Sequence, residues 1–273
     1  MKKILLCTNW KMNMSITESV NYSRKLRDFV QETLPENSNI EIFIFPDFLS
    51  LYPVCQVLNK SKVKIGAQDC FWENSGAFTG EISPMVLRDL GCDYIMAGHP
   101  ERVNYFKEDL EIVNKKIKAI LSNNLTPVIF VVEKEKKNSM VQTCKMLKNQ
   151  LFPQFSGVDK KDINRALIIY EPTWAIGTGT AAPVDHTHAI LAELRAAMNA
   201  EYGIGIGTRQ LFMYGGGVTL ESAKDIIALD NIDGIGMGKA GLNFEFFTGA
   251  IKVTIEMEKV KNLIIMHNFA GNR

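Results

Sequence analysis

Cysteine is scarce in this sequence of 273 residues. Five cysteines are scattered along the chain, and no two of them form a Cys-x-x-Cys pair. An odd number of cysteines without paired spacing argues against a disulfide framework and against a structural zinc site. We therefore expect the protein to work in a reducing, cytoplasmic setting. The cysteines are Cys7, Cys55, Cys70, Cys92 and Cys144.

Long apolar runs are missing as well. No stretch approaches the length of a membrane-spanning helix. The apolar run that follows Met1-Lys2-Lys3 covers only Ile4 to Cys7 before Thr8 and Asn9 interrupt it, which is too short for a signal peptide. A membrane partner is therefore not expected.

Neither sign of charge dominates the chain. It has 31 basic and 30 acidic residues and a formal net charge of +1. This balance argues against a surface built to bind polyanions, so we expect no nucleic-acid partner. A local anion site remains compatible with it.

Linker sequences are also absent, since no Pro/Gly/Ser-rich stretch and no shift in composition marks a domain boundary. Because 46% of the residues are apolar, the chain can bury one large core without disulfides or metal. We expect one domain over residues 1–273, with a short C-terminal extension at about 262–273.

Eight short apolar runs rich in β-forming residues recur along the chain. They are continuous rather than alternating, which favours parallel strands covered on both faces. Helical periodicity lies between them, as in the segment that follows Asp185, a residue expected to cap its helix. Eight such units predict an α/β fold, a single closed (β/α)8 barrel, rather than an open doubly wound sheet. The runs are Ile4–Cys7, Ile40–Phe45, Val63–Ala67, Tyr94–Ala97, Pro127–Val132, Ala166–Tyr170, Leu211–Tyr214 and Ile232–Met237.

Polar and glycine-rich residues follow several of these runs. In a (β/α)8 barrel the active site lies at the carboxyl ends of the strands, so these residues are expected to converge on one face. They are Asn9 and Lys11 after the first run, His99 after the fourth, Glu171 after the sixth, Gly215 to Gly217 after the seventh and Gly238 after the eighth.

Each of these residues also has an ordinary structural interpretation, such as a salt bridge or a turn. Together they favour isomerisation of a phosphorylated sugar. Glycine-rich loops expose N–H groups that bind phosphate, and Lys11, on the opposite side, adds a positive charge. Glu171 would take a proton from carbon while His99 donates a hydrogen bond to an enediolate oxygen. No cofactor is needed for this chemistry.

Five motifs occur in order over nearly the whole chain, and with them the sequence resembles the triose-phosphate isomerase family. The resemblance implies a TIM barrel and a place in glycolysis and gluconeogenesis. It implies that Glu171 moves a proton between C1 and C2, that His99 polarises the carbonyl, and that Lys11 with Asn9 supports the oxyanion. The motifs are "NWKMN" (Asn9 to Asn13), "GAFTGEIS" (Gly76 to Ser83), "GHPER" (Gly98 to Arg102), "YEPTWAIGTG" (Tyr170 to Gly179) and "YGGGV" (Tyr214 to Val218).

The resemblance further implies a mobile lid and a homodimer. In the lid, the N–H of Gly177 would bind the substrate phosphate on closing, and the dimer loop Gln68 to Gly80 would carry Thr79 toward the partner's active site. Without a partner, Phe71, Trp72 and Phe78 would be exposed apolar surface. The expected lid residues are Thr173, Trp174, Ala175, Ile176, Gly177, Thr178 and Gly179, and the expected phosphate-binding residues are Gly177, Gly217, Gly238 and Lys239.

Four features of the sequence depart from the family pattern. Pro100 and Gly217 each stand where the family has serine, Val131 to Lys134 stand where it has Cys, an apolar residue, Gly and Glu, and Lys239 replaces a glycine. Lys239 and the segment "CFWE" (Cys70 to Glu73) resemble the branch that isomerises four-carbon ketose phosphates such as erythrulose phosphate. The alternatives to a triose substrate are therefore such a ketose phosphate, or a barrel that binds phosphosugars without turning them over.

Other motifs are given structural interpretations. His186 and His188 fall in the first turn of a helix without a nearby carboxylate pattern, so no metal is expected there. Glu133 to Lys137 reads as a solvated helix start, and Gly203 to Gly207 is not placed as a dinucleotide fingerprint.

Overall fold

Eight parallel strands close into a barrel in this computed structural model, which describes residues 3–136 and 138–270, with side chains to residue 263. Each strand pairs with the next in sequence, and the first pairs with the last. The predicted (β/α)8 TIM barrel is therefore confirmed. The strands are β1 (Ile4–Asn9), β2 (Ile40–Phe45), β3 (Val63–Ala67), β4 (Tyr94–Ala97), β5 (Thr126–Glu133), β6 (Leu167–Pro172), β7 (Leu211–Tyr214) and β8 (Gly234–Met237).

Helices surround the barrel and connect its strands. Ser15 begins the first helix with a capping box, in which its hydroxyl accepts the N–H of Glu18 and the Glu18 carboxylate accepts the N–H of Ser15. Residues 271–273 of the predicted C-terminal extension lie outside the described residues. The helices are α1 (Ile16–Thr33), α2 (Phe48–Leu58), α3 (Pro84–Leu90), α4 (Pro100–Phe106), α5 (Leu110–Ser122), α6 (Met140–Gln154), α7 (Lys160–Ile163), α8 (Val184–Tyr202), α9 (Ile206–Arg209), α10 (Leu220–Ala228) and α11 (Phe244–Ala270).

The core has two layers, which explains why the strands read as continuous apolar runs. In β1, Leu5 and Cys7 point into the barrel, where they pack with Phe43 and Ile169. Leu6, between them, points outward into the layer between strands and helices. Because successive side chains of a strand face opposite sides, both faces must be apolar here.

Three local assignments differ from the sequence predictions. β6 continues to Pro172, so Glu171 lies within the strand rather than after it. α8 begins at Val184 after Pro183, which places Asp185 in its first turn rather than at the cap. Glu133 is the last residue of β5 and is buried, and the next helix begins only at Met140.

Among the described residues, no helix is both long enough and apolar enough to cross a bilayer.

Candidate active site

A cavity of about 500 Å³ opens at the carboxyl ends of the strands. The four predicted catalytic residues, Asn9, Lys11, His99 and Glu171, all line it. So do the four predicted phosphate-binding residues Gly177, Gly217, Gly238 and Lys239. The structure therefore brings together residues from five different strand ends, as the sequence predicts.

Glu171 is buried at the edge of this cavity. Its residue is only 8% exposed, and its backbone is held in register with Val132 of β5. Burial raises the pKa of Glu171 to about 7, although the nearby charge of Lys11 acts in the opposite direction. A carboxylate of this pKa is a stronger base than an exposed one and is still ionised in part near neutrality.

His99 faces the same cavity as a neutral ring. It is the N-cap of α4, and its Nδ1 accepts the backbone N–H of Glu101 at 3.2 Å. Burial lowers the pKa of His99 to about 4, with Glu101 partly opposing the shift. Since Nδ1 is an acceptor, the proton of the neutral ring is on Nε2, which can donate a hydrogen bond. Pro100 fits this arrangement because a helix tolerates proline in its first turn.

Lys11 is fixed at the rim of the cavity by its neighbours. Its backbone takes a left-handed φ of 52°, and its N–H donates to Oδ1 of Asn9 at 2.9 Å. Its ammonium lies 2.5 Å from Oε1 of Glu101. A β-carbon on Gly238 would lie 3.6 Å from Cε of Lys11, so Lys11 borders the loop after β8. The expectation that it lies opposite the glycine loops is wrong, because β1 and β8 are neighbours in the closed barrel.

The glycine loops leave space that side chains would fill. Gly177 and Gly179 adopt left-handed φ values of 78° and 79°, which residues with a β-carbon rarely adopt. A β-carbon on Gly217 would lie 2.5 Å from the carbonyl oxygen of Ala175 and 3.0 Å from that of Thr180. Gly217 thus allows Ala175 of the predicted lid, and Thr180 just after the lid, to approach the loop after β7.

The cysteine in the cavity is an unreactive thiol. Cys7 lines the floor together with Met96, Phe130 and Ile169. Burial raises the pKa of the Cys7 thiol to about 12, so the thiol remains protonated near neutrality. The cavity therefore presents Glu171 rather than a thiolate as its base.

Comparison with known proteins agrees with this geometry. A sequence model of the family described as Triosephosphate isomerase matches residues 4–254. The chain is 37% identical over 251 residues to the Triosephosphate isomerase of Alkaliphilus metalliredigens (strain QYMF), covering 92% of this chain and 99% of that protein. The chain is 33% identical to the Triosephosphate isomerase of Dictyoglomus thermophilum, covering 92% of this chain and 100% of that protein.

This chain belongs to the triosephosphate isomerase family. The resemblance noted in the sequence is thereby confirmed.

The structure explains one departure from the family pattern and locates another. Serine at position 217 would bring its β-carbon against the carbonyl oxygens of Ala175 and Thr180, so the approach of the lid accounts for glycine there. Lys239 is exposed at the start of a 3-10 turn and lines the cavity. Trp72, the other residue that resembles the four-carbon branch of the family, is not among the cavity-lining residues and stacks on Phe71 at 4.0 Å.

The dimer loop is only partly as expected. Phe71 is buried within its own chain, where it packs between Trp72 and Phe78, so it is not exposed apolar surface. Phe78 is 41% exposed, and Thr79 is exposed and does not line the cavity. Any role of Thr79 at an active site would therefore concern a second copy of the chain.

Sequence reasoning missed the side chain of Glu101 and the surroundings of His186. Glu101 lies beside both Lys11 and His99, and its position in "GHPER" was the available signal. His186, expected to lack a carboxylate, lies 3.0 Å from Oε2 of Glu133. No sequence spacing indicates that contact, because the two residues are 53 positions apart.

Proposed function

We propose that this protein is an isomerase that interconverts glyceraldehyde 3-phosphate and dihydroxyacetone phosphate by proton transfer through an enediolate. One observation carries the proposal. A buried glutamate whose pKa is raised to about 7 and a neutral histidine whose pKa is lowered to about 4 face one cavity rimmed by glycine loops. The names of the relatives point to the same reaction.

Proton transfer would run through Glu171. Its carboxylate removes a proton from C1 of dihydroxyacetone phosphate, and the electron pair moves to the carbonyl oxygen to give the enediolate. The carboxyl group then returns the proton to C2, while the hydroxyl proton moves from O1 to O2 by way of Nε2 of His99. Nε2–H of His99 donates to the oxygen where charge develops, and the ammonium of Lys11 lowers the energy of that charge in a site shielded from water.

The substrate phosphate would be bound by backbone N–H groups. The loops that contain Gly177, Gly217, Gly238 and Lys239 border one side of the cavity. Backbone N–H groups in such loops form sites for anions. Closure of residues 173–179 over the phosphate would exclude water and protect the enediolate from losing its phosphate by elimination.

We further propose a homodimer in a reducing, cytoplasmic setting. The five cysteines are free thiols in the described structure. Exposed apolar side chains occur on the predicted dimer loop and on the helix after His99, namely Phe78, Tyr105 and Phe106. Sedimentation equilibrium should give twice the chain mass, and Phe78→Asp should shift it toward the monomer. A monomeric wild type would contradict the dimer.

The reaction is tested by a coupled assay with glyceraldehyde 3-phosphate and by solvent deuterium exchange into dihydroxyacetone phosphate. Exchange needs only a working base, so it separates an enzyme from a barrel that merely binds phosphosugars. Erythrulose 1-phosphate is measured in parallel. Absence of exchange with both substrates would reject the isomerase, and a preference for the four-carbon sugar would reject the triose substrate.

A further inference from the structure

A buried carboxylate lies beneath the predicted lid. Glu133, the last residue of β5, is only 1% exposed. Its Oε2 accepts a hydrogen bond from the hydroxyl of Tyr170 and lies 3.0 Å from Nε2 of His186. Its Oε1 is 3.5 Å from the hydroxyl of Thr143. Three separate segments of the chain thus meet at one carboxylate.

These contacts join both ends of the lid. At the entry, Thr173 donates its hydroxyl hydrogen to the backbone carbonyl of Glu133 at 3.2 Å. After the exit, His186 lies in the first turn of α8 and reaches back to the Glu133 carboxylate. The ring of His186 also packs edge-on against Trp174, with centroids 6.1 Å apart. Thr173, at the start of the lid, and His186, after its end, are therefore both held by Glu133, the first through its backbone carbonyl and the second through its carboxylate.

Trp174 is half-buried against the core and is held by packing rather than by a hydrogen bond. Its Nε1–H is buried and has no hydrogen-bond partner among the described residues. Its ring contacts His186 on one side, and Nζ of Lys136 lies 5.2 Å from its centroid. Movement of His186 would therefore release the first turn of the lid.

Among the described residues, His186 is also the basic group in contact with the Glu133 carboxylate. A carboxylate this deeply buried is costly unless it is hydrogen-bonded or paired. Tyr170 is the other donor to Oε2, and it directly precedes the base Glu171 in β6. Loss of His186 would leave one donor on Oε2, and the position of Tyr170 would then be less well defined.

We propose that His186 is a positioning residue that holds the lid in its place over the cavity by fixing Glu133 and Trp174. This inference rests on the proposed isomerase function. His186 does not line the cavity, but its loss should change the outcome of the reaction. When the lid opens early, the enediolate expels its phosphate: the C–O bond breaks, its electrons leave with inorganic phosphate, and the remaining enol becomes a 2-oxoaldehyde. Isomerisation and elimination then compete.

The test compares His186→Ala, His186→Gln and the control His188→Ala in the full-length protein. His188 lies on the same helix, but it contacts Asp230 at the surface, 3.4 Å away. Inorganic phosphate released per isomerisation turnover is measured for each. We expect His186→Ala to raise this ratio by at least about tenfold, as for loss of a hydrogen bond to a charged group. His186→Gln retains a hydrogen-bond donor, so its ratio should lie close to that of the wild type. His188→Ala should match the wild type.

A second measurement separates this inference from the proposed function. In a background with Trp10→Phe and Trp72→Phe, Trp174 is the one tryptophan left in the sequence. Its fluorescence is titrated with glycerol 3-phosphate, and His186→Ala should require several-fold more ligand for the same change. A wild type without isomerase activity rejects the proposed function, while the titration still tests His186. An unchanged phosphate ratio in an active enzyme, or an unchanged titration, overturns the role of His186 even if the melting temperature falls.

Discussion

The carbonyl oxygen of Ala175 lies 2.5 Å from the point where a β-carbon of Gly217 would be. The lid and the loop after β7 therefore meet by direct contact of their backbones. This contact gives the first of four predictions.

Gly217→Ser should raise KM for glyceraldehyde 3-phosphate, because the new β-carbon displaces Ala175 and with it the phosphate-binding lid. We expect kcat/KM to fall by about tenfold, which corresponds to the free-energy cost of one overpacked contact. Steady-state kinetics and a melting temperature check the prediction. Unchanged KM in a folded variant would show that the lid does not need this close approach.

The pH dependence of kcat/KM should report the raised pKa of Glu171. Because the base must be deprotonated, kcat/KM should rise with pH and level off above about 7. Ionisation of the substrate phosphate adds a second break to the pH profile, at about pH 6. In Glu171→Asp the enzyme break should move while the substrate break stays in place. A single break common to both proteins would exclude Glu171 as the titrating group.

Glu171→Gln should stabilise the fold at high pH. Folding raises the pKa of Glu171 from 4.5 to about 7, so the favourable contribution of its protonated form is present below 4.5 and is lost as pH rises through 7. The variant lacks this loss, so its free energy of unfolding should be higher by roughly 3 kcal/mol above about pH 7. At acid pH the two proteins should be alike.

Urea unfolding over a pH series measures this effect. Glu111→Gln is the control, since Glu111 pairs with Lys115 on the surface of α5. That substitution should change stability by less than about 1 kcal/mol at every pH. Equal stability of Glu171→Gln and wild type above neutrality would contradict the burial effect.

Lys239→Met should weaken substrate binding with little change in kcat. The side chain is exposed and lines the cavity, so its attraction to a substrate phosphate bound there would be screened by water. We expect KM to rise by about three- to tenfold, and we expect this rise to be smaller at high salt. Lys224→Met, an exposed lysine on α10, is the matched control. If the variant loses only activity toward erythrulose 1-phosphate, Lys239 selects a four-carbon sugar instead.

The fold and the residues of the cavity could be predicted because both depend on local patterns. Eight continuous apolar runs require strands covered on two faces, and the residues at their carboxyl ends meet once the barrel closes. The surroundings of Glu133 could not be predicted. A glutamate followed by Lys134, Glu135 and Lys136 reads as a solvated run. The two partners of its Oε2 that make its burial tolerable lie 37 and 53 positions away. The same limit applies to Gly217, whose neighbours are carbonyl groups of the lid.

Pairing of β1 with β8 has a consequence for how the protein is made. Leu5 to Thr8 lie against Gly234 to Met237, so the first strand finds one of its neighbours only after the last strand has left the ribosome. Contacts between such distant parts of a chain form slowly. Lys11 and the loop at Gly238 therefore come together late, after Glu171 and His99 have been synthesised. The nascent chain is thus expected to acquire its base before its phosphate site is complete, and isomerase activity would report closure of the barrel.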